Sequence, residues 1–124
     1  KADRHGNVSI GYPIEAQILA EAARRVIVTA EEIVDRVTEK ESTGMFIPSV
    51  LVDAVVHAQW GAHPAGLQGR YPVDKAHMTR YVAASRDDAS FAAYVKEHVF
   101  DVSGHEEYIE RFVPSELKQP KAAA

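Results

Sequence analysis

The chain has 124 residues, 46% of them hydrophobic, which is enough for one ordinary domain. Its formal net charge of −4 argues against a nucleic-acid surface, because a phosphate-binding domain normally carries a basic stripe. The absence of cysteine excludes disulfides, thiol chemistry and cysteine-based zinc sites. No run approaches the roughly 18 apolar residues of a membrane span, and no signal peptide is visible, so we predict a cytoplasmic protein that contacts neither membrane nor nucleic acid.

The first quarter of the chain predicts a turn, a strand, a helix and a second strand. Residues 3–7 are rich in turn-forming side chains, and residues 8–10 alternate as a short strand does. A helix is predicted over 14–25, where strong helix formers prevail, and a buried strand over 25–29. The side chains expected on the buried face of this helix are Ile14, Ile18, Leu19 and Ala22.

Residues 30–35 fit two structures. Thr29 followed by Glu32 matches a capping box that starts a helix, whereas the alternation that follows suits a strand but is irregular. If the segment is a strand, the adjacent carboxylates of Glu31 and Glu32 point to opposite faces and cannot share a proton. We therefore expect neither to be a nucleophile, and we expect Glu32 to contact a partner across an interface.

The most apolar stretch of the chain runs from Val50 to Val56 and is interrupted only by Asp53. A β-branched run of this length predicts a strand buried on both faces, as in a parallel sheet. The run leads through His57 and the single Trp to a small-residue turn over 61–64. Since open α/β sheets bind ligands beyond the carboxyl ends of their strands, we expect a ligand crevice at this turn.

Each residue of this turn has a functional and a structural interpretation. We predict that His63 binds a substrate carboxylate or thioester oxygen; alternatively, it bonds the loop backbone. Gly61 and Ala62 permit close approach of a ligand to their amides, as in an oxyanion site, or simply allow a tight turn. Trp60 is expected in the core or at a subunit interface, where Trp is common.

The second half of the chain predicts a loop followed by helices. Residues 65–72 contain two glycines and a proline and form the loop. Asp74 is expected to cap a helix over 75–85, and two more helices are predicted over 90–99 and 105–112. The class is therefore α/β: part of an open, mostly parallel sheet flanked by helices and ending in a helical tail. Such a sheet needs more neighbours than this chain supplies, so we expect a segment of a longer polypeptide.

The six histidines do not predict a metal site. None of them shows the spacing that puts two imidazoles on one face of a helix, so no metal ligand is assigned.

Three stretches together resemble the A subunits of the family I coenzyme A transferases. Residues 1–8, Lys-Ala-Asp-Arg-His-Gly-Asn-Val, are similar to a turn motif of that family, and residues 26–35 contain its Glu-Glu-Ile-Val signature. Residues 47–64, with Tyr71 following, look like the glutaconate transferase branch. The three stretches occur in the expected order, and the resemblance covers residues 1–112. This part of the chain is similar to the C-terminal half of such a subunit.

This resemblance implies a CoA-transferase/NagB-like fold over 1–112, with 113–124 as a C-terminal tail. It implies an enzyme that moves coenzyme A between carboxylic acids, with a coenzyme A thioester as substrate and no covalently bound cofactor. The nucleophilic glutamate is expected on a separate B subunit, so this segment has no catalytic residue of its own and is inactive alone. Its partners are then the B subunit, the missing N-terminal half of the A subunit, and acyl-CoA.

Two other functions stay open at this point. A related branch hydrolytically opens rings of CoA thioesters in steroid breakdown, and its A subunits resemble this chain as well. A non-catalytic module that kept the fold and lost the site is the alternative outside the enzymes.

Overall fold

The computed structural model describes residues 1–11 and 14–118, with Ile14 described by its backbone alone. Residues 119–124 of the predicted tail, and Tyr12 and Pro13, lie outside the described residues. The described chain divides into two compact units, one over Lys1–Gly61 and one that begins at Ala62. None of its helices is both long enough and apolar enough to cross a membrane.

The strands of the described residues all lie in the first unit, together with one helix. The strands are β1 (Ala2–Asp3), β2 (Val8–Ile10), β3 (Ile27–Ala30), β4 (Ile33–Val34), β5 (Met45–Ile47) and β6 (Ala54–His57). The helix α1 spans Ile14–Ala22, and 3₁₀ turns cover Glu39–Glu41 and Ser49–Leu51.

These strands form two sheets. The larger has the order β4-β1-β2-β5, with β1 and β4 parallel and the other two pairings antiparallel. The smaller pairs β3 with β6 in parallel, from Ile27 opposite Ala54 to Ala30 opposite His57. The α/β class is confirmed, with mixed pairings instead of a mostly parallel sheet. The antiparallel β1–β2 pair follows from their short connection, because parallel neighbours need a long crossover.

Small and β-branched side chains make the core of the first unit. Five buried residues form one cluster, and partly buried neighbours such as Val28 and Val55 pack against it. The cluster consists of Ala2, Val8, Ala20, Ala30 and Ile47. The core therefore joins α1 to strands of both sheets.

The predicted strand over Val50–Val56 is shorter and more exposed than the apolar run indicated. Pro48 leads into a 3₁₀ turn, Val50 is 86% exposed, and the strand itself begins only at Ala54. Val56 within it remains 46% exposed, so burial on both faces is wrong for this structure. The reason is that β6 has a single neighbour, β3, among the described strands.

One further prediction in this unit needs correction, and one open question is answered. Ile18 and Leu19 of α1 are 59% and 67% exposed, whereas the small Ala20 is the side chain that reaches the core. The apolar face predicted for α1 is therefore directed largely away from this unit. The segment 30–35, for which helix and strand were both open, contains no helix: Ala30 ends β3, and Ile33–Val34 form β4 by pairing with β1.

The second unit is helical. It contains α2 (Lys75–Ala84), α3 (Asp88–Val95), α4 (His105–Phe112) and α5 (Ser115–Lys118), with a π-helical segment over Lys96–Phe100. The N-cap predicted at Asp74 is confirmed, because its side chain accepts the backbone N–H of His77 at 2.9 Å. The helix predicted over 90–99 begins earlier, at Asp88, because Asp87 caps it by accepting the N–H of Ser90.

Candidate functional site

The turn between β1 and β2 is organised by the carboxylate of Asp3, which is fully buried. One of its oxygens accepts the backbone N–H groups of His5 and Asn7 at 2.9 and 3.0 Å. The other accepts the side-chain amide of Asn7 at 3.0 Å and the backbone N–H of Val37 at 2.9 Å. Asn7 in turn accepts the N–H of Ser49. The motif over residues 1–8 thus ties three separate segments together.

These contacts set the ionisation of Asp3. Burial alone raises a carboxyl pKa, but the hydrogen bonds from Asn7, Val37 and His5 outweigh it and lower the pKa of Asp3 from 3.8 to about 2. Asp3 is therefore a fixed anion with its oxygens occupied, which suits a structural role.

A cavity of about 430 Å³ lies beside this turn, within the first unit. Its apolar wall includes Ile33 and Val55. Its exposed polar lining includes Arg4, His5, His57 and Asp53, whose carboxylate is paired with Arg25 at 3.7 Å. A guanidinium beside an apolar wall can bind a carboxylate whose hydrocarbon part lies against that wall.

The residues predicted at an interface have contacts inside the first unit. The backbone N–H of Trp60 donates to Glu31 Oε2 at 2.8 Å, and Trp60 has a positive φ of 62°. Glu32 forms an ion pair with Lys1 at 3.4 Å. Both Trp60 and Glu32 are partly exposed, and their interface role remains a prediction.

The amides of the predicted substrate-binding turn are already bonded. The N–H of Gly61 donates to the carbonyl of Ala58 at 2.9 Å, and that of Ala62 donates to the hydroxyl of Tyr71 at 3.0 Å. A ligand that used either amide would have to displace these acceptors. Their substrate role remains a prediction.

His63 lies in a buried network of the second unit, with its side chain 1% exposed. Its Nε2 is 3.2 Å from Asp74 Oδ2, and its Nδ1 is 2.9 Å from the hydroxyl of Tyr108. The loop reaches this position because the N–H of Asp74 donates to the carbonyl of Pro64, the residue after His63.

His77 extends the network through α2 and α3. Its Nε2 is 2.6 Å from the hydroxyl of Tyr94, and its ring meets that of His63 edge-on with centroids 5.0 Å apart. The ring of His98 lies 4.9 Å from that of His77 and stacks on Tyr94 at 4.1 Å. Among the described residues, the Nε2 of His98 is the buried side-chain nitrogen or oxygen that lacks a hydrogen bond.

Burial and mutual contacts shift the ionisation of this network. Burial, followed by the neighbouring His63 and His98, lowers the pKa of His77. Burial acts to raise the pKa of Asp74, but hydrogen bonds from His77 and His63 outweigh it and lower that pKa. Burial raises the pKa of Tyr108 to about 12. At neutral pH the network therefore holds a buried carboxylate beside a histidine that resists protonation.

Known proteins match almost the whole chain, although no family model does. The A subunit of glutaconate CoA-transferase from Acidaminococcus fermentans is 40% identical over 119 residues, which is 94% of this chain and 37% of that protein. The crystal structure of glutaconate coenzyme A-transferase from the same organism matches with a TM-score of 0.83 at 35% identity, over 94% of this chain and 38% of that chain. Over almost its whole length the chain is therefore similar to the A subunits of coenzyme A transferases.

Another transferase and one other enzyme share this similarity. The A subunit of 3-oxoadipate CoA-transferase from Pseudomonas knackmussii is 35% identical over 103 residues, 80% of this chain and 35% of that protein. The decarboxylase AibA/AibB, in the crystal structure of a variant, matches with a TM-score of 0.61 at 35% identity, over 77% of this chain and 36% of that chain. The coenzyme A transferase relatives named here are therefore covered over little more than a third of their length.

The buried network around His63 is the feature of this chain that sequence analysis missed. One contact of the network could have been predicted. A helix N-cap lies close to the residue three positions later, and for the N-cap Asp74 that residue is His77. Nothing local links either residue to His63 or to Tyr108, which is 45 residues from His63. The absence of helical histidine spacing was not informative here, because His63 approaches from a loop.

Proposed function

We propose that this chain is part of the A subunit of a CoA-transferase that moves coenzyme A between carboxylic acids. The observation that carries the proposal is the 40% identity to the glutaconate CoA-transferase A subunit over 94% of the chain, joined by a TM-score of 0.83 to that enzyme's crystal structure. The chain is also similar to a 3-oxoadipate CoA-transferase. Relatives named for different substrates support the reaction class, CoA transfer, more than any one carboxylic acid.

The exposed apolar side chains of the first unit support its place in a larger protein. Ile27 of β3 is 69% exposed and Val50 is 86% exposed, and Ile18 and Leu19 of α1 are directed outward as well. Exposure of several large apolar side chains is typical of surfaces that another protein segment covers. We assign that covering to the remainder of the A subunit, because the relatives are more than twice as long as this chain.

The proposal places the nucleophilic glutamate on a separate B subunit. A carboxylate nucleophile divides the transfer into two covalent steps, through an enzyme-bound glutamyl-CoA thioester. The two adjacent glutamates of this chain are engaged locally, Glu31 with the backbone of Trp60 and Glu32 with Lys1. This supports a non-nucleophilic role for both, and we expect the chain to be inactive by itself.

Substrate contacts are proposed at two places. The turn at Gly61, Ala62 and His63 is one. That the His63 side chain binds a substrate oxygen remains a prediction, and as a 1% exposed group it would have to leave Tyr108 or Asp74 to do so. The cavity lined by Arg4 and His57 is the other, where the guanidinium suits the carboxylate of an acyl group. Trp60 and Glu32 are proposed to face the B subunit.

The test uses the complete A subunit co-expressed with its B subunit. We expect CoA transfer from an acyl-CoA to a free carboxylate, and an enzyme-bound thioester that hydroxylamine or borohydride traps. Replacing the B-subunit glutamate by Gln is the matched control, and it should abolish both signals. Release of a ring-opened acid without transfer to an acceptor would instead identify a hydrolase, and no turnover with a folded complex would identify a non-catalytic module.

A decarboxylase is the second candidate, because the AibA/AibB decarboxylase shares 35% identity with this chain. The match covers 77% of the chain with a TM-score of 0.61, against 94% and 0.83 for the transferase, so transfer is favoured. The same assay separates the two reactions. If this protein decarboxylates the acyl-CoA supplied in the assay, we expect carbon dioxide to be released without transfer of CoA to the acceptor and without a trapped enzyme thioester.

A further inference from the structure

Two histidines and one aspartate converge in the second unit although they come from a loop and a helix start. His63, Asp74 and His77 are each buried, and one side-chain nitrogen or oxygen of each lies within 4.8 Å of those of the other two. Imidazole nitrogens and a carboxylate oxygen are a ligand set that suits Zn²⁺. The transfer reaction proposed above uses none of these three side chains as a reacting group.

The second nitrogen of each imidazole is held by a tyrosine. Tyr108 contacts His63 Nδ1 at 2.9 Å, and Tyr94 contacts His77 Nε2 at 2.6 Å. The nitrogens that remain to bind an ion are Nε2 of His63, which faces Asp74, and Nδ1 of His77. Metal-bound histidines almost always have their second nitrogen fixed by such an outer partner, which orients the ring and sets the tautomer.

One pair of donor atoms already has the spacing of ligands on a tetrahedral ion, and the other pairs lie within 4.8 Å. Zinc-to-ligand bonds of about 2.0–2.1 Å place tetrahedral ligands about 3.3 Å apart. His63 Nε2 and Asp74 Oδ2 are 3.2 Å apart, so an ion can replace the proton that they share without separating them. The buried negative charge of Asp74 gains a cation in the same step.

An unpartnered nitrogen lies at the edge of the cluster. His98 is 4% exposed, its Nε2 has no hydrogen bond, and its ring contacts that of His77 with centroids 4.9 Å apart. Buried polar atoms normally have a partner, and a bound ion or water is a recognised reason for one that lacks it.

We propose that His63, Asp74 and His77 bind one Zn²⁺ ion that fastens the loop after Ala62 to the start of α2. The three ligands are buried, so the role of the ion is structural: it holds the turn over 61–63 in place and takes no part in the chemistry of the proposed transfer reaction. Asp74 and His77 contribute their ligand atoms from the helix cap, and His63 supplies the link to the loop.

The experiment starts from this chain, stripped of metal with a chelator and dialysed. We expect it to bind one equivalent of Co²⁺, with the visible absorption of a tetrahedral nitrogen-oxygen site, and to release that Co²⁺ when Zn²⁺ is added. Zn²⁺ should also raise the midpoint of thermal unfolding. Absence of stoichiometric binding, or an octahedral spectrum alone, would overturn the proposal.

Variants locate the bound ion. His63→Gln and His77→Gln should each abolish stoichiometric binding, whereas His57→Gln and His105→Gln, which change exposed histidines, should leave it intact. Tyr108→Phe keeps all three ligands but removes an outer partner, and it should weaken binding about 10-fold or more. Equal binding by the His63 and His57 variants would place the ion elsewhere.

A ligand variant that fails to fold would not test the site, so the ligands are also measured directly in the unaltered chain. X-ray absorption at the zinc edge should show two imidazoles and one carboxylate around the ion. A first shell made of water oxygens, or one with a single imidazole, would overturn the assignment whatever the variants do. CoA-transfer activity is not a readout, so failure of the transferase proposal leaves this test unaffected.

Discussion

The carboxylate of Asp3 accepts a hydrogen bond from the backbone N–H of Val37, 34 residues further along the chain. The same carboxylate accepts three donors from its own turn, from His5 and Asn7. A single buried anion thus holds together backbone segments that are distant in sequence. Four donors directed at one carboxylate leave it no capacity for catalysis.

Replacing Asp3 by Asn should destabilise the first unit by about 3 kcal/mol, because an amide keeps one acceptor and turns its NH₂ group toward backbone donors. The measurements are urea unfolding and hydrogen exchange of the amides of Val37 and Asn7, which should accelerate. Asp35→Asn is the control, since that carboxylate is exposed. Equal effects of the two substitutions would show that the buried, hydrogen-bonded carboxylate of Asp3 stabilises the fold no more than an exposed one does.

The depressed pKa of Asp3 predicts a loss of stability in acid. The folded chain binds this proton with a pKa of about 2, and the unfolded chain with a pKa of 3.8. The contribution is therefore complete above pH 3.8, and it falls away as the pH drops toward 2. Its full size is about 2 kcal/mol. Urea unfolding at a series of pH values should show this slope in the unaltered chain and not in Asp3→Asn.

Two helix caps of the second unit offer a matched comparison. Asp87→Ala removes the cap of α3 and should cost about 1 kcal/mol. Asp74→Ala removes the cap of α2 and also the partner of His63, which is buried, so it should cost about 2–4 kcal/mol. Both are measured by urea unfolding without metal. A cost for Asp74→Ala no larger than that for Asp87→Ala would mean that the contact with His63 is not stabilising.

Exposed and buried apolar residues of the first unit should respond in opposite ways. Leu19→Ser should change the free energy of unfolding of this chain by less than about 0.5 kcal/mol, because Leu19 is 67% exposed. Ile47→Ala should cost about 2–5 kcal/mol, because Ile47 is 4% exposed and lies in the core cluster. In the complete A subunit, Leu19→Ser should become destabilising if the remainder of the protein covers α1. An unchanged small effect there would remove the support that this helix gives to the proposed function.

The cavity beside Arg4 yields a kinetic prediction for the complete enzyme. Arg4→Gln should raise the KM for the carboxylic acid about 10-fold or more, because a charge-assisted hydrogen bond is lost. Arg36→Gln, which also removes an exposed arginine, should leave the KM unchanged. A KM insensitive to Arg4 would leave the predicted turn over 61–63 as the remaining proposed substrate contact.

Local signals were sufficient for some elements and not for others. Asp74 as a cap and the helix over 105–112 were predictable, since caps and helix formers act within a few residues. The run Val50–Val56 was misleading because burial depends on neighbours, and β6 has only β3 beside it among the described strands. The apolar face of α1 was wrongly predicted to be buried for the same reason, because the described chain supplies no neighbour that covers it.

The candidate site, too, was predictable from the sequence only in part. The motif at residues 1–8 predicted a turn and contributed to the resemblance, but it did not show that Asp3 reaches Val37. The network around His63 needed the three-dimensional arrangement, because its partner Tyr108 comes from α4 and carries no sequence signal that links it to a histidine.

The parallel pair β3–β6 has a practical consequence for work with this chain. Among the described residues each strand has one hydrogen-bonded neighbouring strand, so the outer flank of each carries backbone groups that no second described strand pairs. Such flanks are templates for strand addition between molecules. Preparations of the chain alone should therefore self-associate as concentration rises, and a peptide that supplies the adjoining strand should keep them monomeric.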